Sequence, residues 1–445
     1  MNCRLPPAAC RLPPAACRLA RSAHACPLLL SPILCAMAGS PTNCLVIVQI
    51  SSRHVSCTVA WRQPGEPERV VAHKVVYCQW YELNERGRRQ AVSEAVYEAC
   101  QSASVRPYSV FVSISDARLQ ANFAVGSVDC GETVSFGPDE IELALVRATH
   151  QAIAVDREVL HVLPQRWEVR DSNGDRPSER PIGDTGQRLT CYVMLVTAPK
   201  RQRADLSVLL RDCDLELEAV IAPPVALYRG MYRMLAKSGC HLVFDCGAMH
   251  TSVVVHRKGR LVHIETHHFG GDHVTRLLIE RFTLDPGRAE QLKQELDVSN
   301  HQRFAEELQG QTYLWRDVQE RDRLLGPASH AARQLLLDFF RDIADSLGKR
   351  DLLAAKGRIS VVGRASHLHG LTRLLQEVFS MPVTLGTGRK DRDPSAELVD
   401  LVTTGLIRTA AEERERLLRQ RDVSGMHQAR RLWYAMRNWL FAPLR

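Results

Sequence analysis

Leu242-Val243-Phe244 runs into Asp245-Cys246-Gly247, and two further apolar runs follow: Thr251 to His256 and, beyond the Lys258-Gly259 turn, Leu261 to Thr266. Short runs rich in Val and Ile, punctuated by glycine, read as β-strands joined by tight turns. The same layout stands near the start of the chain. Leu45-Val46-Ile47-Val48-Gln49-Ile50 is an apolar run, Ser51 to His54 a polar turn, and Val55 to Ala60 the returning strand. Two halves that each open with strand, turn and strand predict a duplicated α/β lobe pair around a cleft.

Outward from these hairpins the elements alternate. Arg88 to Ser104 carries Ala91, Val92, Ala95, Val96, Ala99 and Cys100 at helical spacing, and Ser109 to Ser115 reads as a strand. Pro138 sits just inside a helix bearing Ile141, Leu145 and Ala148, with Asp139 and Glu140 where the helix dipole favours them. Residues 171–187, polar and rich in Gly and Pro, are expected to form a surface loop. Leu189 to Val196 reads as a strand, Arg203 to Arg211 as a helix and Ala219 to Ile221 as a short strand. In the second half, helices are expected over about 272–283 and 287–297, with a charged, mostly helical stretch to Leu347. A strand from Arg358 to Val362 leads into Gly363, a helix covers about 367–380, and Met381-Pro382 opens a final edge strand.

The composition is that of an ordinary globular chain: 445 residues, 24% charged and 45% apolar. It excludes the disordered, collagenous and multi-span membrane classes. The charge balance, 58 − 50 = +8, is mild for this length. It permits attraction to anionic lipid, and with no aromatic–basic motif behind it, nucleic acid is not an expected partner. None of the 14 cysteines forms a C-x-x-C pair, and those beyond the first 35 residues are scattered among apolar neighbours, which suits reduced thiols in the cytosol. No run of about 18 apolar residues exists to span a membrane.

Residues 1–36 differ from the rest. Cys3-Arg4-Leu5-Pro6-Pro7-Ala8-Ala9 recurs as Cys10 to Ala16 and begins again at Cys17, and paired prolines block both helix and ladder. A secretory signal cleaved near Ala36-Met37-Ala38 and a disordered arm are two readings of this leader. The reading adopted is a reading frame that truly starts at Met37, and the segment is excluded from the fold.

The chain also carries motifs that resemble a known family, the bacterial cell-division protein FtsA, of the actin and heat-shock-chaperone ATPase superfamily. His161-Val162-Leu163-Pro164-Gln165 followed by Pro181-Ile182-Gly183-Asp184-Thr185-Gly186-Gln187-Arg188-Leu189 is similar to its HxIPQ strand and PIG-x-x-G-x-R-L loop. Phe269-Gly270-Gly271-Asp272-His273-Val274-Thr275 resembles its GGDHVT, and Ala289-Glu290-Gln291-Leu292-Lys293 its AE-x-I-K. The resemblance covers roughly residues 42–445 and is thin between 297 and 350. It implies an α/β, actin-like two-lobed ATPase fold with duplicated lobes and an inserted α+β subdomain. The expected organisation is a first lobe at 40–117 and 190–239, the inserted subdomain at 118–189, and a second lobe at 240–297 and 351–410. The helical part of that lobe takes 298–350, a linker 411–428, and an amphipathic helix 429–445.

The resemblance further implies a nucleotide cleft in which two hairpin turns cradle ATP and its Mg²⁺. Glycines let backbone N–H groups approach phosphate, and an acid in each turn holds the metal through water. The first turn is Gln49-Ile50-Ser51-Ser52, where Gln49 replaces the acid, Ser51 the glycine, and Ser52 keeps a hydroxyl. The second, Asp245 to Ser252 against DIGGGTTD, keeps Asp245, Gly247 and Thr251 but brings in Ala248, Met249 and Ser252. The adenosine-side turn, Val362-Gly363-Arg364-Ala365-Ser366 against TGGAS, keeps Gly363 and Ser366. With Gly271, and with Glu290 and Lys293 near ribose and base, these form the candidate site. Met249 projects where backbone should touch phosphate, and the lost acid removes metal and water positioning. No catalytic residue is expected, and the alternative to weak ATP binding is a closed structural relic. His263, Glu265 and His267 alternate on one strand with His268 and His273 close by, and are read as a polar strand face rather than a metal site. Cys246 is read as packed rather than reactive.

The C-terminus carries a pattern of its own. Leu432, Trp433, Met436, Trp439 and Leu440 share one helical face, with Phe441 at its end, while Arg430, Arg431, Arg437 and Asn438 lie towards the other. Such a helix suits the lipid headgroup region, where arginines gain about 1 kcal/mol each near anionic lipid. A packed terminal helix and a partner-binding helix are the alternatives, and Ser424-Gly425 favours a detached element. The family ends in a membrane-targeting helix of this kind. Its role implies a tether of FtsZ filaments to the cytoplasmic face of the inner membrane at the division site, self-association into filaments, and recruitment of later division proteins. Arg333 stands for a basic residue of the family's FtsZ-binding surface. The rivals are a pilus-assembly scaffold of the same superfamily, which binds an extended peptide, and an active sugar-kinase-like or chaperone-like ATPase.

Overall fold

Strand β1 (Cys44–Ile50) turns at Ser51, whose N–H donates to the His54 carbonyl at 2.9 Å, into β2 (His54–Trp61). β2 pairs antiparallel with β3 (Arg69–Tyr77). Helix α1 (Glu85–Ser102) starts at Asn84, whose side chain accepts from the Gly87 N–H, and buries Ala91, Val92, Ala95, Val96, Ala99 and Cys100, the stripe its spacing predicts. β4 (Ser109–Ile114) then lies parallel to β1, Ile47 opposite Phe111. This computed structural model describes residues 44–62, 69–235, 239–299, 318–353, 357–386 and 401–418. The leader 1–36, residues 419–428 of the expected linker and the expected helix 429–445 lie outside them.

An antiparallel sheet interrupts the first lobe here: β5 (Gln120–Ser135), helix α2 (Pro138–Ala152), β6 (Arg157–Asp171), β7 (Gly174–Ser178) and β8 (Thr185–Pro199), in the order β5-β8-β6-β7. α2 lies on the sheet so closely that a Cβ on Gly126 would come within 2.0 Å of the Ala144 carbonyl oxygen. Phe136, Val169, Leu189, Val193 and Leu195 fill the space between. The loop expected over 171–187 is corrected: β6 and β7 form a hairpin across it, and β8 begins at Thr185. Asn173-Gly174 is a strong hairpin signal. Gly174 takes φ 115°, the Asp171 carboxylate accepts from the Asn173 N–H, and Arg170 grips Asp175 across the strands.

Helix α3 (Lys200–Arg211) and β9 (Glu216–Ile221), parallel to β4, complete the first sheet in the order β3-β2-β1-β4-β9, and α4 (Pro223–Leu235) leads away. The second lobe repeats the plan. β10 (Cys240–Cys246), β11 (Thr251–Arg257) and β12 (Arg260–His267) form an antiparallel meander, followed by α5 (Gly271–Phe282), α6 (Pro286–Glu295) and α7 (Val318–Lys349). β13 (Arg358–Val362), helix α8 (Leu371–Phe379) and β14 (Val383–Leu385) close a sheet of order β12-β11-β10-β13-β14. In each sheet a three-strand meander is extended by two parallel strands. Phe244 anchors the second core, with the rings of Phe340 and Phe379 at 5.6 and 5.3 Å.

Helix α9 (residues 401–418) corrects two expectations. Residues up to 410 were expected in the second lobe and 411 onward in a linker, yet α9 buries Leu406, Ile407, Ala410 and Ala411 against Leu45, Ile47, Phe111 and Ala226 of the first. Charges of α9 are held in pairs: Arg414 with Glu218 at 2.6 Å, Glu412 with Arg229 at 2.7 Å and Glu413 with His161 at 2.9 Å. Among the described residues no helix is long and apolar enough to cross a membrane.

Candidate functional site

Two hairpin turns, β1–β2 in the first lobe and β10–β11 in the second, occupy corresponding places in the two sheets. In the first, Ser52 gives its carbonyl to the Trp80 N–H at 3.0 Å, and Gln49 stays in β1 opposite Ser113. In the second, the Gly247 N–H donates to the His250 carbonyl at 2.9 Å, and the Thr251 hydroxyl to the Phe269 carbonyl at 2.8 Å. Burial raises the Asp245 carboxyl to about 6 and pushes the Cys246 thiol far up, so that thiol is packed and inert.

Two glycines allow the second turn to be approached closely. The Gly271 and Asp272 N–H groups, at the start of α5, donate to the Gly247 and Ala248 carbonyls at 3.0 and 2.8 Å. A Cβ on Gly270 would lie 2.4 Å from the Ala248 oxygen. From the other side Gly363, at φ 91°, would place a Cβ 2.4 Å from the Cys246 oxygen, and the Ser366 hydroxyl ties back to the Gly363 carbonyl.

Between these walls lies a cavity of about 510 Å³, lined by Arg53, Thr251, Gly271, Glu290, Lys293 and Arg364 among others. Lys293 Nζ reaches the Glu290 carboxylate at 2.8 Å and the Thr275 hydroxyl at 2.9 Å, and that hydroxyl also donates to Glu290 at 2.9 Å. Burial opposes the Glu290 charge, but these bonds outweigh it and hold its pKa below the ordinary value. Of the residues singled out in the sequence, Thr251, Gly271, Glu290 and Lys293 thus meet at one cavity. Asp245, Gly247, Gly363 and Ser366 form the turns behind it, and Ser52 stands on the facing turn without lining it.

Sequence reasoning missed Arg53. From the β1–β2 turn it reaches Asp272 at the start of α5, Nη2 to Oδ1 at 2.5 Å. From the second lobe the Arg364 guanidinium lies 5.7 Å from the centre of the Tyr77 ring of β3. Arg333 is spent within its lobe, donating to the Val298 carbonyl and to both Glu377 oxygens with its side chain 11% exposed, so it serves as a strut and presents little to a partner. His263 hydrogen-bonds one Glu265 oxygen at 3.2 Å, and His267 Nε2 lies 3.2 Å from the other. Burial opposes that carboxylate's charge, but the two histidines hold it at about 2. The tail residues Arg430, Arg431, Leu432, Trp433, Met436, Arg437, Trp439, Leu440 and Phe441 lie outside the described residues.

A duplicated pair of α/β lobes whose corresponding turns and glycine-walled cavity share one cleft defines the actin-like ATPase fold. Among solved structures, the PilM–PilN type IV pilus biogenesis complex shares it, with TM-score 0.52 and 17% identity over 81% of this chain and 98% of that one, a likeness of fold alone. The family profile described as "Cell division protein FtsA" matches residues 242–405, and "SHS2 domain inserted in FTSA" matches residues 119–197. The chain belongs to the FtsA family. FtsA of Pseudomonas aeruginosa is 27% identical over 67% of this chain and 70% of its own length, and that of Streptococcus pneumoniae 25% over 66% and 64%. The matches thus span about two thirds of these relatives.

Proposed function

We propose that this chain tethers filaments of FtsZ to the cytoplasmic face of the inner membrane at the division site, associates with itself into filaments and recruits later division proteins. The observation that carries this reading is the β5–β8 sheet, inserted between β4 and α3 where the family's own inserted domain matches. The membrane contact is assigned to residues 429–445, whose spacing predicts an amphipathic helix with Trp433, Met436, Trp439 and Leu440 on one face for lipid and Arg430, Arg431 and Arg437 on the other for headgroups. A single short helix binds weakly, and filament formation multiplies such contacts. The cleft is a degenerate nucleotide site that works by shape rather than by turnover, because Gln49 in place of the acid removes metal positioning, while Met249 does not line the 510 Å³ cavity.

The reading is tested in cells. A fluorescent fusion of the chain is expected to form a ring coincident with FtsZ, and depletion of the chain to leave long undivided cells. A diffuse signal with normal division would contradict it.

A further inference from the structure

A triphosphate in a cleft of this class brings a divalent ion, which carboxylates on the facing turns hold through water. The donor set here does not fit such an ion. On the first turn Gln49 stands at the acid position, and on the second the Ser252 hydroxyl pairs with Thr266 at 3.1 Å. Asp245 lies in the turn behind the cavity and does not line it. At the cavity, Asp272 holds Arg53, and Glu290 takes bonds from Lys293 and Thr275. The cavity wall instead presents three cations, Arg53, Lys293 and Arg364.

Arg53 also does what a bridging ion does. It leaves the first turn and grips Asp272, 219 residues further on, in the turn of α5 whose N–H groups bond the carbonyls of the second turn. One guanidinium therefore links the first turn, through α5, to the second. Its five donors are set in a rigid fork suited to phosphate oxygens, and the bond to Asp272 occupies only part of that fork.

We propose that Arg53 is the resident cation of this cleft, and that the ligand the cleft takes is a nucleoside phosphate without a metal. This rests on reading the cavity as the nucleotide site of the family. Arg53 supplies the positive charge for the phosphates, Arg364 lines the adenosine side, and the 510 Å³ cavity is of a size that holds a nucleoside.

The test is fluorescence anisotropy of methylanthraniloyl-ADP titrated with the full chain, once in excess Mg²⁺ and once in excess EDTA. Equal affinity in both is expected. Arg53→Ala should weaken binding about tenfold or more, with Arg53→Lys recovering part of the loss. In the ligand-free protein, hydrogen exchange of residues 246–251 should rise about fivefold in Arg53→Ala and in Asp272→Asn, whether or not Mg²⁺ is added. A tenfold fall in affinity on replacing Mg²⁺ by EDTA would overturn the proposal, as would absence of binding in both buffers. Unchanged exchange in both variants would also overturn it. A chain that binds the probe without metal yet never joins the division ring would defeat the division reading and leave this one standing.

Discussion

Gly405→Ala is expected to destabilise the protein by about 3 kcal/mol or more and to loosen α9 from the first lobe. The two helices α4 and α9 cross with their backbones in contact. A Cβ on Gly405 would stand 1.8 Å from the Ala226 carbonyl oxygen and 2.9 Å from the Gly230 nitrogen, and one on Gly230 would meet the Leu401 oxygen at 2.1 Å. Nothing at those contacts is the movable end of a side chain, so relief requires one helix to shift bodily. That shift would pull Leu406, Ile407 and Ala410 out of the cluster they form with Ile47 and Phe111. Urea unfolding together with hydrogen exchange over residues 401–418 reads both effects. Unchanged stability and exchange would show that the helices do not cross this tightly.

His161→Phe is expected to cost about 3 kcal/mol at neutral pH and less in acid. The imidazole Nε2 accepts from the Ala222 N–H at 3.0 Å, so in the neutral ring the proton sits on Nδ1 and donates to Glu413 at 2.9 Å. Phenylalanine fills similar space but orphans a buried N–H and removes one of the two partners of a buried carboxylate, leaving Arg416. Burial works against the Glu413 charge, yet the bonds from His161 and Arg416 prevail and hold its pKa below 4.5. A carboxylate depressed in this way contributes stability above its unfolded pKa and loses it as pH falls through the folded one. The gap between wild type and variant should therefore be widest near neutrality and shrink below about pH 4.5. Unfolding curves collected across that range decide it; a gap that does not change with pH would remove Glu413 from the explanation.

The sequence made the hairpins readable because both faces of β1, β2, β10 and β11 are buried, and continuous apolar runs announce such strands. Helix α1 was equally plain, since its whole buried face is apolar. Strand β5 was not, because most of its residues are exposed and only Ala124, Gly126 and Val128 are buried. The β6–β7 hairpin was hidden by its polar, Gly- and Pro-containing composition despite Asn173-Gly174. Helix α9 from residue 411 onward was read as a linker because its charges find partners only in the folded chain, at Glu218, Arg229 and His161. The same limit governs the cleft. Glycines at positions of close approach leave a spaced motif, whereas the contact of Arg53 with Asp272 exists only once two distant segments meet.

The central claim, that the chain links FtsZ to a membrane, is tested most directly by sedimenting purified FtsZ with anionic liposomes in the presence of the full chain or of one ending at Ser424. The account predicts that FtsZ pellets with liposomes and full-length chain, and stays in solution when residues 425–445 are absent. FtsZ left in the supernatant although the full chain binds lipid would contradict the tether. A chain that binds no lipid at all would contradict the role given to the terminal helix.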